Sequence, residues 1–557
     1  MVFKRCLCFF FGLITFSSCQ IFSQTQTQEI EDFVTSVMEC VRVPGLTLAV
    51  VKGNETWKKG FGFADVENKR PVNTSTLFGI GSITKAFTSM LLSMHINERS
   101  DRYNWTSKLR DVLGDDFKMV DEIRSSETML RDILAHRTGL TTGDIGLIAG
   151  YPTVFTRKEM VKRLPYLGEL RPFRDTFLYN NWMYALAGYI VEALSGNTWE
   201  EELRARILDP LEMLDTRIID IDINVTDDRM AIPYAMVDDD VIPSPPEIYT
   251  ITPGEPAGAI ASSAEDMSKW IQFILNKGNL TDGQALANWT IYKEAFRPHN
   301  VYSSSLEKPT FPVADVNEGY GYGWFHGNHD GYKKLWHSGG LFGYSSMLWI
   351  FPDLDIGFYG NINGPAGAAD TSKVFTTIFP YLFDLIMEKE PWLNATTACS
   401  YPSPWTPKSP SKNNTDDVTN LPVDDVSQFV GEYGHRFLGD VQIIAFGQSL
   451  YFNMTYLQGT LNTTKKANEF KMETTAQFAF LTHPGNTSQL LPVVFDTQKA
   501  NKYQRLTVSF GDNSIFERGV KWTDPLPIAT GGCGSLMENY SKFHLFVIVW
   551  ICVNNLL

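Results

Sequence analysis

The sequence predicts an α/β (α+β) fold, an antiparallel sheet flanked by helices with a helical subdomain, followed by a small all-β domain. Three observations carry this. Strand-like segments stand at both ends of residues 26–392 with helical periodicity between them, so one sheet unites the two ends. Residues 393–423 are dominated by Pro, Ser, Thr, Asn and Lys, the composition of a linker. Residues 424–524 hold short alternating segments separated by Gly, Asn and Pro.

Taken in order, Leu46 to Lys52 reads as a buried strand, and Gly53-Asn54 turns it into a second strand, Thr56 to Phe63. From Ser82 the apolar positions Ile83, Ala86, Phe87, Met90, Leu91 and Met94 recur at the spacing of an amphipathic helix. A further helix is predicted over Met183 to Ala193. Helix and loop signals alternate to about residue 290. Tyr320–Trp324, Leu335–Ser338, Ser345–Phe351 and Ile356–Asn361 then read as strands, with Pro352-Asp353 turning the last pair. Val374 to Glu388 reads as an apolar helix.

Composition excludes several classes. The 557 residues are 43% hydrophobic with no collagen or heptad period, so the chain buries a core rather than forming a fibre. A net charge of −15 argues against nucleic acid as a partner. Lys4 and Arg5, the apolar run Cys6–Phe16 and the small residues Ser17, Ser18 and Cys19 match a secretory signal peptide over 1–19. Its removal takes two positive charges and moves the balance to −17.

Twelve N-x-S/T sequons, at Asn54, Asn73, Asn104, Asn224, Asn279, Asn288, Asn394, Asn413, Asn453, Asn462, Asn486 and Asn539, predict a secreted, extracellular glycoprotein. Chance gives roughly four or five. In the tail 525–557, Gly531–Ser535, a polar spacer and apolar Phe543–Val553 match a GPI-anchor signal, hence membrane attachment; a last packed strand is the alternative. With Cys6, Cys8 and Cys19 in the signal and Cys552 in the apolar end of the tail, three cysteines remain for the mature chain: Cys40, Cys399 and Cys533. They have no metal-binding spacing, and Cys40–Cys399 is the expected bridge.

Ser82-Ile-Thr-Lys85 follows Gly79-Ile-Gly81 and opens a helix. Residues i and i+3 share a helix face, so hydroxyl and amine point into one space. A partly desolvated amine there has a lowered pKa and serves as base to the serine. Ser305–Lys308 and Ser409–Lys412 match the same pattern, but in polar, loop-like surroundings. Tyr179-Asn-Asn181 precedes a helix, whereas the similar Tyr359–Asn361 and Tyr451–Asn453 lie in predicted strands. Trp336-His-Ser-Gly-Gly340 lies on a strand after the glycine-rich Tyr320–Trp324. Alone, His337 reads equally well as a satisfied core histidine.

In this order and spacing the three motifs resemble the serine β-lactamase and penicillin-binding-protein superfamily. The closest branch is the class C-like (peptidase S12) one of esterases, D-aminopeptidases and animal β-lactamase-like proteins. Leu134–Leu140, Gly258–Met267 and His337–Pro352 resemble the same family. The resemblance implies a β-lactamase-like catalytic domain over 26–392, with Ser82 as acylated nucleophile and Lys85 and Tyr179 sharing the proton work. Asn181 would bond Lys85 and the acyl group, His337 would face Tyr179, and the N–H groups of Ser82 and Gly340 would form the oxyanion hole. It implies no cofactor or metal, and a small-molecule or peptide substrate. The C-terminal β domain resembles a lipocalin-like domain that covers the active-site mouth in some of these hydrolases. Where β-lactamases of this branch have lysine the chain has His337, which favours an esterase or peptidase. The chain also resembles gigasin-type shell-matrix proteins. The alternative is therefore a non-catalytic extracellular protein that keeps the fold and associates with matrix or mineral.

Overall fold

The computed structural model describes residues 20–151, 155–237, 239–301, 312–367, 371–405, 418–419, 421–482 and 490–526. The expected signal segment 1–19, the anchor-like tail from 527, Cys533, the sequons at Asn413, Asn486 and Asn539, and the stretches Ser305–Lys308 and Ser409–Lys412 lie outside them.

A nine-stranded antiparallel sheet carries the first domain. Its strands are β1 (Gly45–Lys52), β2 (Glu55–Asp65), β3 (Arg70–Pro71), β4 (Asn300–Val301), β5 (Asp315–Tyr320), β6 (Phe325–His329), β7 (Tyr332–Leu341), β8 (Tyr344–Phe351) and β9 (Ile356–Ile362). The spatial order is β3-β2-β1-β9-β8-β7-β6-β5-β4. The seam between the two sequence ends is the β1–β9 pair, in register from Leu46↔Ile362 to Lys52↔Ile356. Because side chains alternate across a strand, Leu46, Leu48 and Val50 bury on one face and Ala49 and Val51 on the other. A strand apolar on both faces needs cover on both, and helices supply it.

On the first face lie α1 (Gln24–Val41), begun by a Ser23–Gln26 capping box, and the apolar α6 (Val374–Ile386). A Cys40–Cys399 disulfide ties the end of α1 to the segment after α6. That segment, at the start of the predicted linker, is folded: Leu393 and Ala398 are buried and Trp392, Tyr401 and Trp405 pack beside them. On the second face lie α2 (Thr84–Glu98), α3 (Asp144–Ala149), α4 (Asn181–Ser195) and α5 (Ala264–Leu275), the last packed on β1 and β9.

Two local expectations are corrected. The helix α2 is not amphipathic: Thr84 to Ile96 are buried throughout, Thr88, Ser89 and Ser93 included. Their hydroxyls are satisfied by backbone carbonyls, Thr88 by that of Pro256 and the serines by those of their own helix. Residues 321–324 are a loop between β5 and β6 rather than a strand. Gly323 has φ +80°, and a Cβ there would stand 2.8 Å from the Lys85 carbonyl, so the chain crosses against α2 instead of running in the sheet.

The C-terminal domain is a closed eight-stranded barrel with neighbours in sequence paired throughout. Its strands are β10 (Gly431–His435), β11 (Gly439–Phe446), β12 (Ser449–Met454), β13 (Leu457–Thr463), β14 (Glu469–Thr475), β15 (Leu491–Lys499), β16 (Lys502–Phe510) and β17 (Asp512–Arg518). Tyr433↔Arg518 closes the ring, and Tyr433, Phe452, Phe470, Phe495 and Phe516 are buried within it. The barrel docks on the first domain at several points. Arg163 Nη1 donates to the carbonyls of Arg436 and Trp522 at 2.7 and 2.8 Å, and the Tyr456 N–H donates to Ala149 O at 3.0 Å.

Candidate active site

The chain enters the site along residues 78–80, which are pinned both by the nine-stranded sheet and by the separate short strand at Ile260–Ser262. The Asn361 amide donates to Gly79 O at 3.0 Å, Ser346 Oγ donates to Ile80 O at 2.8 Å, and the Ile80 N–H donates to Ile260 O. Gly81 then turns with φ +52°, and a Cβ there would stand 2.6 Å from Gly340 N. Only glycine lets β7 pass so close. One 3₁₀ turn, Gly81–Ile83, leads into α2, so Ser82 stands at the helix start and Lys85 one turn on.

Lys85 is fully buried, and its Nζ has three oxygen neighbours: Ser82 Oγ at 3.0 Å, Asn181 Oδ1 at 2.8 Å and Ala257 O at 2.8 Å. It also lies 4.8 Å from the centre of the Tyr179 ring. Burial lowers its pKa to about 7, partly offset by the Asp144 carboxylate. A neutral amine has two N–H donors and one lone pair. Asn181 and Ala257 can only accept, so the lone pair is left for the Ser82 hydroxyl proton.

Asn180 fixes the second motif. Its side chain caps α4 by accepting from Trp182 N at 3.0 Å, and its amide donates to Thr141 O at 2.9 Å. Tyr179 is therefore the residue before the cap and Asn181 the first of the helix. Burial raises the Tyr179 phenol well above its usual range, with a hydrogen bond to Ser82 acting the other way. Asn181 Nδ2 donates to Asp144 Oδ1 at 3.1 Å, which orients the amide with its oxygen toward Lys85.

His337 is 1% exposed and does not reach open space. Its ring lies 6.3 Å from that of Tyr179, Nε2 is 2.9 Å from Tyr320 Oη, and Nδ1 is 2.6 Å from Ser338 O. Burial, followed by the field of Lys85, takes its pKa to about 3, so it is neutral at physiological pH.

A cavity of about 330 Å³ opens at Ser82, lined by Asn181, Asp144 and Gly340 and by apolar Leu147, Ile148, Ile251, Phe342 and Phe510. A Cβ on Gly340 would meet nothing within 4 Å, so free volume lies beside that residue. Ser82, Lys85, Tyr179, Asn181, His337 and Gly340 thus converge, while Asp144, Ala257 and the barrel residue Phe510 were not foreseen. None of these three carries a local signal, unlike the Asn180 cap, an Asn ahead of an apolar helical run. Among the described residues no group of three or more His, Cys, Asp or Glu could hold a metal ion.

The chain is 30% identical over 344 residues to unguisins hydrolase ungD of Aspergillus violaceofuscus, covering 58% of this chain and 60% of that relative. The chain thus spans about three fifths of that relative's length. It is 27% identical over 273 residues to Gigasin-6 of Magallana gigas, covering 47% of this chain and 86% of that one. In fold it is similar to the octameric penicillin-binding protein homologue from Pyrococcus abyssi, with a TM-score of 0.56 at 19% identity over 88% of this chain and 100% of the other. The beta-lactamase family model matches residues 30–381, well over half the chain, and the chain belongs to that family.

Proposed function

We propose that the chain is a secreted serine hydrolase that cleaves ester or amide bonds through an acyl-enzyme on Ser82. The observation that carries this reading is the Lys85 amine, whose pKa near 7 and two fixed acceptors leave its lone pair on Ser82 Oγ. Ser82 Oγ attacks the substrate carbonyl carbon while its proton passes to Lys85 Nζ. The oxyanion forms between the backbone N–H groups of Ser82 and Gly340. Collapse expels the alcohol or amine, which takes the proton back from the Lys85 side. Water then attacks the ester. Tyr179, held protonated by burial, relays that water's proton between Lys85 and the departing Ser82 oxygen.

Secretion is supported by the sequence ends and by the sequons. All nine described sequon asparagines are exposed or half-buried, as glycan attachment requires. The non-catalytic matrix reading is favoured by the similarity to Gigasin-6 and by the acidic balance. The intact Ser82–Lys85–Asn181 bonding set weighs against it, since a scaffold has no use for a buried amine with a lowered pKa. Intact-mass analysis of the chain quenched during turnover of p-nitrophenyl acetate tests the point. An acetyl adduct on the peptide holding Ser82, missing in Ser82→Ala, is expected. Absence of adduct and of turnover on a panel of esters and D-amino-acid amides, by correctly folded protein, contradicts the reading.

A further inference from the structure

The barrel reaches the Ser82 site at the turn between β16 and β17. Phe510, the last residue of β16, lines the same cavity as Ser82. Two residues on, Asp512 Oδ2 accepts from the backbone N–H of Thr142 at 2.6 Å and of Gly143 at 3.4 Å. Those two residues form the turn into α3. The turn is confined on its other sides as well. Gly143 has φ +58°, a Cβ on it would lie 3.0 Å from Leu438 Cδ2 of the barrel, and its carbonyl accepts from Trp182 Nε1 at 3.4 Å. The next residue, Asp144, orients the Asn181 amide, and Asn181 Oδ1 holds the Lys85 amine. Hydrogen bonds, joined by the covalent step from Gly143 to Asp144, therefore link a barrel side chain to the base beside Ser82.

Resting on the hydrolase reading above, we propose that Asp512 is a positioning residue for the reaction at Ser82: it fixes the 142–144 turn and, through Asp144 and Asn181, the Lys85 amine. The barrel is then a working part of the active site, and Phe510 limits the acyl group that the cavity admits. Asp512 is 8% exposed, and its Oδ1 is buried without a hydrogen-bond partner. A buried carboxylate with half its acceptor capacity unused is costly for mere domain docking.

The charge environment of Lys85 gives the test its specific readout. The titratable groups around the amine are Asp144 of α3, Tyr179 before α4, Tyr184 within α4, His136, and His337 of β7. Among these, Asp144 raises the Lys85 pKa, and Asp144 in turn lies in the field of Asp512.

The experiment compares the full wild-type chain with Asp512→Ala, Asp512→Asn, Asp144→Asn and Phe510→Ala on p-nitrophenyl acetate and p-nitrophenyl octanoate, with thermal midpoints measured in parallel. Asp512→Ala is expected to lower kcat at least tenfold with KM changed less than threefold. Asp512→Asn, which keeps an oxygen for the two N–H groups, should recover most of that loss. Asp144→Asn should move the acid limb of kcat/KM to lower pH, because the amine loses its negative neighbour. Phe510→Ala should favour the octanoate relative to the acetate. The proposal is overturned if Asp512→Ala stays within twofold of wild type in kcat, or if both Asp512 variants lose activity only in step with their thermal midpoints. An unmoved acid limb in Asp144→Asn also overturns it. A wild type inert toward every ester sinks the hydrolase reading itself, and is told apart because no variant comparison then exists.

Discussion

Asn181 Oδ1 stands 2.8 Å from Lys85 Nζ, and the other end of the same amide is committed to Asp144. The amide therefore cannot flip to present its N–H₂ to the amine, and Lys85 is held by an acceptor at a fixed point. The chemistry of the site depends on this constraint, because the amine must keep its lone pair directed at Ser82.

The pH dependence follows from that geometry. Lys85 acts as base only when neutral, and its pKa lies near 7, so kcat/KM for a neutral ester should rise as pH increases through about 7 and level off above it. Asn181→Asp places a carboxylate beside the amine and stabilises its charged form. The acid limb should then move upward in pH, and the rate at pH 7 should fall by about one to two orders of magnitude. Steady-state profiles between pH 5 and 9 decide it, and an unshifted limb in Asn181→Asp argues against Lys85 as base.

Carboxylate-bearing substrates should be disfavoured. The cavity contains Asp144 and has no Lys or Arg among its described lining residues, and His337 is neutral and out of reach. Benzylpenicillin should acylate the chain at least tenfold more slowly than its methyl ester, measured as competition against ester turnover. Equal rates would show that some cation reaches the acid.

Below neutrality the fold should lose stability through its buried histidines. His326 and His435 have pKa values of about 4 and His337 about 3, against about 6.5 in the unfolded chain. The unfolded chain thus takes up protons that the folded one refuses. Their stabilising contribution is complete above pH 6.5 and is lost as pH falls toward the folded values, each group giving a slope of about 1.4 kcal/mol per pH unit. The raised carboxyls of Asp144, Glu255 and Asp384 act in the opposite sense. His435→Gln lies outside the catalytic set and should flatten the urea-derived stability curve between pH 6 and 4.5 by about that amount; an unchanged curve contradicts the assignment.

The Cys40–Cys399 bridge closes a loop with a sequence separation of 359 residues. Cys399→Ser should cost about 2–4 kcal/mol by denaturant titration without changing kcat. The bridge lies on the sheet face of α1 and α6, away from Ser82. A loss of activity at unchanged stability would place it in the catalytic machinery instead.

Local rules carried the sequence reading where local rules apply. The Ser82–Lys85 spacing is legible because three residues make nearly one helical turn, and Tyr179–Asn181 because Asn180 marks the start of α4. The two-ended sheet is legible because β1, β8 and β9 are apolar enough to need burial on both faces. Periodicity failed for α2, whose serines and threonines look polar but bond to carbonyls inside the core. Alternation failed at 321–324, where Gly323 must pass the Lys85 carbonyl. Asp144 and Asp512 left no signal, since a hydrogen bond across some 370 residues depends on docking of the barrel rather than on any neighbouring sequence.

The central claim is that Lys85 deprotonates Ser82, and labelling by a fluorescent fluorophosphonate tests it most directly. The full chain should be labelled at a rate that rises through about pH 7, Ser82→Ala should not be labelled, and Lys85→Ala should label at least a hundredfold more slowly. Labelling of Ser82→Ala, or a Lys85→Ala rate equal to that of wild type, would contradict the account.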